Sequence, residues 1–206
     1  MLLQIHPDNP DERKLSQVIK ILKKGGVIIY PTDSVYAFAC DINSKNAVEK
    51  ICQLRGIKPN KANFSIVCKD LSELTDFAKQ LDNRTFRLMK KALPGPYTFI
   101  LNASKKSPGI FRKSKKTIGI RIPNNNIALA IVQSLGNPIM TASLKDNDEI
   151  VEYTTDPELI HSNMSKMVDV VIDGGFGSNA PSTIIDCSDG EPIIVREGLG
   201  DVSDLF

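Results

Sequence analysis

Between Gly26 and Asp41 the chain reads Gly-Val-Ile-Ile-Tyr-Pro-Thr-Asp-Ser-Val-Tyr-Ala-Phe-Ala-Cys-Asp, and this stretch restricts the fold most. Two apolar, β-prone runs, 27–30 and 35–39, flank the polar knot Pro31-Thr32-Asp33-Ser34. Such runs call for burial in a sheet. Proline removes a ladder donor, so a strand that reaches Pro31 must end, bulge or lie at an edge there. Two readings stay open. The knot is a hairpin-like connection, since Pro, Asp and Ser are ordinary turn formers, or its oxygens sit at the mouth of a core and meet a small ligand.

A chain of 206 residues can bury a sizeable core, and we expect a single domain over 1–206. With 41% hydrophobic and 24% charged residues it has the balance of a soluble globular protein rather than a disordered one. No apolar run approaches the roughly 20 residues of a membrane span. The start, Met-Leu-Leu-Gln-Ile-His-Pro-Asp, lacks the pattern of a signal peptide. Cys40, Cys52, Cys68 and Cys187 form no Cys-x-x-Cys pair, and three lie among apolar neighbours. That pattern predicts reduced, buried thiols and a cytoplasmic location. No metal site is expected, because His6 and His161 are the only histidines and neither is near a cysteine in sequence.

Leu15, Val18, Ile19 and Leu22 predict a first helix over 11–24, with Pro10 in its first turn and Gly25-Gly26 as its stop. Further helices are predicted over 45–54, capped by Asn43-Ser44, and over 71–79, 83–93, 127–135 and 157–163. Strands are predicted at 64–68, 97–101, 117–122, 138–143, 168–173, 182–186 and 193–195, with turns at 94–96 and 174–177. The irregular alternation and β-rich end predict a mixed sheet rather than a regular doubly wound one.

A set of polar residues falls at or just past the ends of the apolar β runs: Thr32, Asp33, Ser65, Thr117, Arg121, Thr141, Ser143, Ser182, Thr183 and Arg196. Strand ends of α/β sheets are where ligands usually bind. Two arginines among hydroxyls, with Arg55 and Lys58 nearby in sequence, suit a phosphate or carboxylate. No general base is conspicuous, which points to chemistry driven by positioning and charge neutralisation, as in transfer from a nucleotide. Lys105, Lys106, Arg112, Lys113, Lys115 and Lys116 fall in one stretch without an acid. They read either as a solvated loop or as a nucleic-acid patch.

Tyr30-Pro31-Thr32-Asp33-Ser34-Val35-Tyr36 resembles the Tyr-Pro-Thr-(Asp/Glu)-Thr-x-Tyr-Gly signature of the YrdC-like family. Pro94-Gly95-Pro96-Tyr97-Thr98 resembles that family's Pro-Gly-Pro-x-Thr. Gly119-Ile120-Arg121-Ile122-Pro123, Pro181-Ser182-Thr183-Ile184-Ile185-Asp186 and Arg196-Glu197-Gly198 follow in the family's order. The opening Ile-His-Pro-Asp-Asn-Pro and closing Val-Arg-Glu-Gly-Leu-Gly-Asp are most similar to its YciO branch.

The resemblance implies a YrdC/RibB-like, twisted mixed α/β sheet flanked by helices, with a concave basic surface. It implies threonylcarbamoyl-AMP synthase activity, in which L-threonine, bicarbonate and ATP with Mg2+ give threonylcarbamoyl-adenylate for tRNA modification. The alternative it carries is a non-catalytic protein that binds tRNA or double-stranded RNA. Carried over by position, Thr32, Arg121, Thr141 and Ser182 fall on the threonine side, and Arg55, Lys58, Thr117, Ser143 and Arg196 on the ATP side. The family's Lys-x-Arg is here Arg55-Gly56-Ile57-Lys58, its Ser-Ala-Asn is Ser143-Leu144-Lys145, and Cys68 replaces a histidine. These departures fall on the nucleotide and threonine contacts.

Overall fold

The knot lies inside a ten-stranded mixed sheet in a computed structural model that describes residues 1–59, 62, 64–109, 116–144, 154–203 and 205. In chain order the elements are β1 Leu2–Gln4, α1 Glu12–Lys23, β2 Ile28–Tyr30, β3 Ala37–Asp41, α2 Lys45–Leu54, β4 Ser65–Val67, α3 Leu71–Phe77 and α4 Asn83–Ala92. There follow β5 Tyr97–Asn102, β6 Thr117–Arg121, α5 Asn126–Leu135, β7 Ile139–Ser143, α6 Pro157–Met164, β8 Val170–Asp173, β9 Thr183–Asp186 and β10 Ile193–Arg196. The sheet order is β1-β8-β2-β3-β7-β4-β6-β5-β9-β10. Parallel pairs (β1 with β8, β8 with β2, β4 with β6, β5 with β9) are interleaved with antiparallel ones, as a mixed sheet requires.

Each helix starts on a side chain that accepts from the first turn: Asp11, Ser44, Asp70, Asp82, Asn125 and Asp156. These caps satisfy donors that have no partner within the helix. Asp11 accepts from Lys14 N at 2.9 Å, which leaves Pro10 one residue outside the helix rather than in its first turn. The predicted elements recur with ends shifted by a few residues. β1 is a further strand, and it pairs with β8 across most of the chain.

Side-chain alternation along the strands splits the core into two clusters. One holds Ile29, Phe38, Ile66, Phe99 and Ile120 beneath α2, α3, α4 and α6. The other holds Ile28, Ala37, Ala39, Val67 and Ile139 beneath α1 and α5. No side chain of β5, β6, β9 or β10 belongs to this second cluster. Among the described residues the α1/α5 face is therefore uncovered over those strands, and Ile193 and Val195 on β10 are 61% and 56% exposed. All four cysteines are free and buried. Among the described residues, no helix is long and apolar enough to cross a membrane.

Asp169 ties the start of the sheet together. Its carboxylate accepts from Val27 N at 2.8 Å and from Lys50 Nζ at 3.1 Å. Burial pushes its pKa up, but the Val27 N–H and the Lys50 ammonium outweigh that and hold it below the ordinary carboxylate value. A depressed carboxylate contributes stability above its unfolded pKa, and that contribution is lost as pH falls through the folded value. Asp169→Ala is expected to cost about 1 kcal/mol near neutral pH, a modest figure because the group is partly solvated. In urea melts from pH 7 to pH 3, wild type and variant should converge as the pH falls. A constant gap would assign the loss to packing instead.

Candidate active site

β2 and β3 pair as antiparallel neighbours, Ile28 with Ala39 and Tyr30 with Ala37, so the knot is a wide hairpin connection. It is also a hydrogen-bonded device. Thr32 Oγ1 donates to Val35 O at 2.8 Å and accepts from Ser34 N at 3.0 Å. Ser34 Oγ lies 3.1 Å from Thr32 Oγ1 and accepts from Arg121 Nη2 at 3.0 Å. One direction satisfies every group: Arg121 donates to Ser34, Ser34 to Thr32, and Thr32 to the Val35 carbonyl. Such chains polarise one another in a low-dielectric interior.

Arg121, at the end of β6, also places Nη2 2.7 Å from Asp33 Oδ1. The two side chains are 7% and 8% exposed, so this is a buried ion pair. Asp33 Oδ2 accepts from Asn124 N at 2.8 Å, which fixes the carboxylate from the opposite side. The Nε of Arg121 is buried and has no hydrogen-bond partner among the described residues. One terminal nitrogen of the guanidinium thus serves the knot, and the direction of the Nε edge is set.

The floor beside Arg121 is made of small residues by register. Ala39 faces Thr141, Thr141 faces Ser65, and Ser65 faces Gly119 across β3, β7, β4 and β6. A Cβ on Gly119 would fall 2.5 Å from Ser65 Oγ, so the floor has room for little more than glycine there. Thr141 Oγ1 donates to Phe38 O at 3.2 Å and accepts from Tyr30 OH at 3.0 Å. Burial pushes the Tyr30 phenol up to about 12, and the Thr141 bond and the Arg121 charge offset that only in part. The phenol therefore stays protonated and remains the donor.

On the other side of Arg121, Thr98 lies one step beyond the Phe99–Ile120 pair of β5 and β6. Its hydroxyl is 2.9 Å from Ser182 Oγ, and Ser182 O accepts from Arg196 Nη2 at 2.8 Å and from Nε at 3.3 Å. A band of polar groups thus runs from Thr141 through Arg121 to Ser182 and Arg196, at the margin where the sheet face opens. Thr117 and Ser143 lie two residues from Gly119 and Thr141 in their own strands and so border the same floor.

Arg55 and Lys58 stand elsewhere. Arg55 is the half-buried C-cap of α2, which packs on the opposite face of the sheet, and desolvation lowers its pKa. Lys58 is exposed in the following loop. Of the basic stretch, Lys105, Lys106 and Lys116 are exposed, and Lys106 Nζ is 2.7 Å from Asp76. Arg112, Lys113 and Lys115 lie outside the described residues, as does Lys145. The Asp33–Arg121 pair bridges residues 88 apart, and no local sequence signal announces it.

These features define a class first: mixed-sheet α/β proteins with a buried arginine clamp at the edge of an open, hydroxyl-lined sheet face. The chain belongs to the Sua5/YciO/YrdC family, described as "Telomere recombination", whose model matches residues 20–198. It is 48% identical over 200 residues to the YciO protein of Escherichia coli (strain K12), covering 96% of this chain and 95% of that one. The crystal structure of E. coli YciO superposes with a TM-score of 0.91, covering 100% and 99% of the two chains at 44% identity. The threonylcarbamoyl-AMP synthase of Coxiella burnetii (strain RSA 493 / Nine Mile phase I) is 25% identical over 180 residues, 87% of this chain and 95% of that one. Pyrococcus abyssi Sua5, solved with L-threonine, shares the fold at a TM-score of 0.86 and 23% identity, over 96% of this chain and 57% of its own.

Proposed function

We propose that the chain is a threonylcarbamoyl-AMP synthase-type nucleotidyltransferase acting on L-threonine, bicarbonate and ATP, in the service of tRNA modification. The observation that carries this reading is Arg121, oriented by Asp33 and Ser34, with its Nε edge buried beside the hydroxyls of the open face. A guanidinium edge fixed in this way suits a carboxylate, and the flanking Thr and Ser hydroxyls suit an amino acid's remaining polar groups. Membership of a family that includes threonylcarbamoyl-AMP synthases supports the reaction class. The Sua5 solved with L-threonine supports the amino acid.

In this reading Arg121 binds the threonine carboxylate, and Thr141 and Ser182 border the amino acid. Thr32 shapes the knot, since its hydroxyl is already engaged by Ser34 and Val35. Thr117, Ser143 and Arg196 face the nucleotide, whereas Arg55 and Lys58, on the α2 side of the sheet, stand apart from it. The overall chemistry forms an N–C bond from the threonine amine to the carbon of bicarbonate, with loss of water. A carbamate oxygen then bonds to the α-phosphorus of ATP, and pyrophosphate leaves. Mg2+ enters with ATP as part of the substrate.

Titration calorimetry with L-threonine, with and without Mg-ATP, tests the site. Arg121→Lys can keep the pair with Asp33 but loses the planar edge, so binding should fall at least tenfold. Thr32→Val should weaken binding and also cost about 1–2 kcal/mol of stability, because Ser34 N and Val35 O lose their partner. Wild-type affinity in both variants would refute an amino-acid site here. The competing reading, RNA binding without catalysis, draws on Lys105, Lys106 and Lys116, of which Lys106 is already paired with Asp76.

A further inference from the structure

Tyr30 ends β2 wholly buried, and among the described residues its phenol has a single hydrogen-bond partner, Thr141 Oγ1 at 3.0 Å. A phenol carries a single proton. Were Tyr30 to accept from Thr141, that proton would be left in the core without a partner, so Tyr30 donates. Thr141 then gives its own proton to Phe38 O at 3.2 Å. Its hydroxyl keeps a spare lone pair and has nothing left to donate.

The hydroxyls of the knot are in the same condition. The Thr32 proton goes to Val35 O and the Ser34 proton to Thr32, while Ser34 Oγ accepts from Arg121. Gly119 and Arg121 alternate along β6 with Ile118 and Ile120 of the other cluster, so they share a face, and register carries that face through Ser65 to Thr141. Thr32, Ser34 and Thr141 therefore have no free proton on this side of Arg121, whereas the Arg121 Nε edge has one and no partner for it. A ligand that accepts at one end and only donates at the other complements both. The zwitterion of an amino acid is such a ligand, since its carboxylate accepts and its ammonium has no lone pair.

We propose that Tyr30 is a positioning residue, which holds the Thr141 hydroxyl as the acceptor for the amino group of the substrate. The inference rests on the reading in which Arg121 takes the substrate's carboxylate. Tyr30 acts through Thr141 and does not touch the ligand itself. Its proton occupies one lone pair of Thr141 and keeps the Thr141 hydrogen turned to Phe38 O. Without the phenol the hydroxyl is free to turn its hydrogen towards the ligand. A ligand hydroxyl both donates and accepts, so it tolerates either orientation. An ammonium tolerates only one. The lock therefore discriminates at the nitrogen of threonine rather than at its side-chain oxygen.

The test is Tyr30→Phe, which removes the phenolic oxygen and keeps the ring. Titration calorimetry is run on the full chain with L-threonine, with L-α-aminobutanoate, which lacks the hydroxyl, and with (R)-β-hydroxybutanoate, which lacks the amino group. The variant should lose about fivefold to tenfold in affinity for the two amines and nothing for β-hydroxybutanoate. A merely structural Tyr30 would weaken all three alike or none. Thr141→Val should lose the same preference for amines, and adding Tyr30→Phe to it should cost nothing further, because the phenol acts through Thr141. The double variant leaves neither side chain with an unpaired polar atom, so it carries the test if Tyr30→Phe alone does not fold. Arg121→Lys should weaken all three ligands, since each has the carboxylate. If it does so while a folded Tyr30→Phe keeps the wild-type preference for amines, the role of Tyr30 is overturned and the amino-acid site stands. A wild type that binds none of the three, or an Arg121→Lys that binds them unchanged, overturns both. A loss confined to the ligands with a hydroxyl overturns the proposal in favour of side-chain recognition.

Discussion

Asp33→Ala is expected to destabilise the protein by about 3–5 kcal/mol, the cost of leaving a buried charge without its partner. Arg121 and Asp33 are among the most enclosed charges described, and the pair closes at 2.7 Å. Removing the carboxylate strands the Arg121 guanidinium in the sheet and also takes the acceptor from Asn124 N. Removing both charges should cost less than the sum of the single changes, because a buried pair is more costly to break than to delete. Urea melts of Asp33→Ala, Arg121→Met and the double variant check this as a cycle. A loss below about 1 kcal/mol for Asp33→Ala would mean that water reaches the pair and that the knot is not the fixed frame described.

Gly198→Ala should cost about 3 kcal/mol, the upper range for overpacking a well-packed site. A Cβ there would lie 2.7 Å from Ser182 C and 2.8 Å from Ser182 O, and closer still to Pro181 O. These are backbone atoms, so no rotamer change relieves the clash. Gly198 N also donates to Thr183 Oγ1 at 2.9 Å, and Leu199 N donates to Pro181 O at 2.8 Å. The methyl would therefore pry β10 and the chain after it from Ser182, where Arg196 is anchored. Thermal melts and the nucleotide dependence of activity should both suffer. Gly190→Ala is a useful contrast. Nothing lies within 4 Å of the Cβ it would carry, so its cost comes from the positive φ of 95° alone and should be smaller.

Helices were the most legible part of the sequence, because the apolar stripe of residues 15, 18, 19 and 22 faces the core as its 3.6-residue period requires. The residue preferences of 35–39 predict a strand from Val35, whereas β3 begins at Ala37. The Val35 carbonyl is taken by the Thr32 hydroxyl instead of a neighbouring strand, a competition that residue preferences cannot register. β1 is three residues long, too short for alternation to mark, and its partner Val170–Asp173 is supplied by the far end of the chain.

The individual site residues were legible as polar groups at strand ends, and as motifs of the family. Their partners were not. Ser182 meets Thr98 across 84 residues, and Arg121 meets Asp33 across 88. Those contacts follow from the strand order β4-β6-β5-β9, and periodicity does not determine that order.

The reaction itself gives the most direct test. Purified protein is incubated with Mg-ATP, L-threonine and bicarbonate, and pyrophosphate release is followed alongside mass detection of threonylcarbamoyl-adenylate. Pyrophosphate and the adenylate should appear together when all three substrates are present. Omitting threonine or bicarbonate should abolish both, and Arg121→Lys should depress both at least tenfold while leaving the fold intact. Pyrophosphate release that ignores threonine, or no adenylate from a folded protein with all three substrates at saturating concentration, would contradict it.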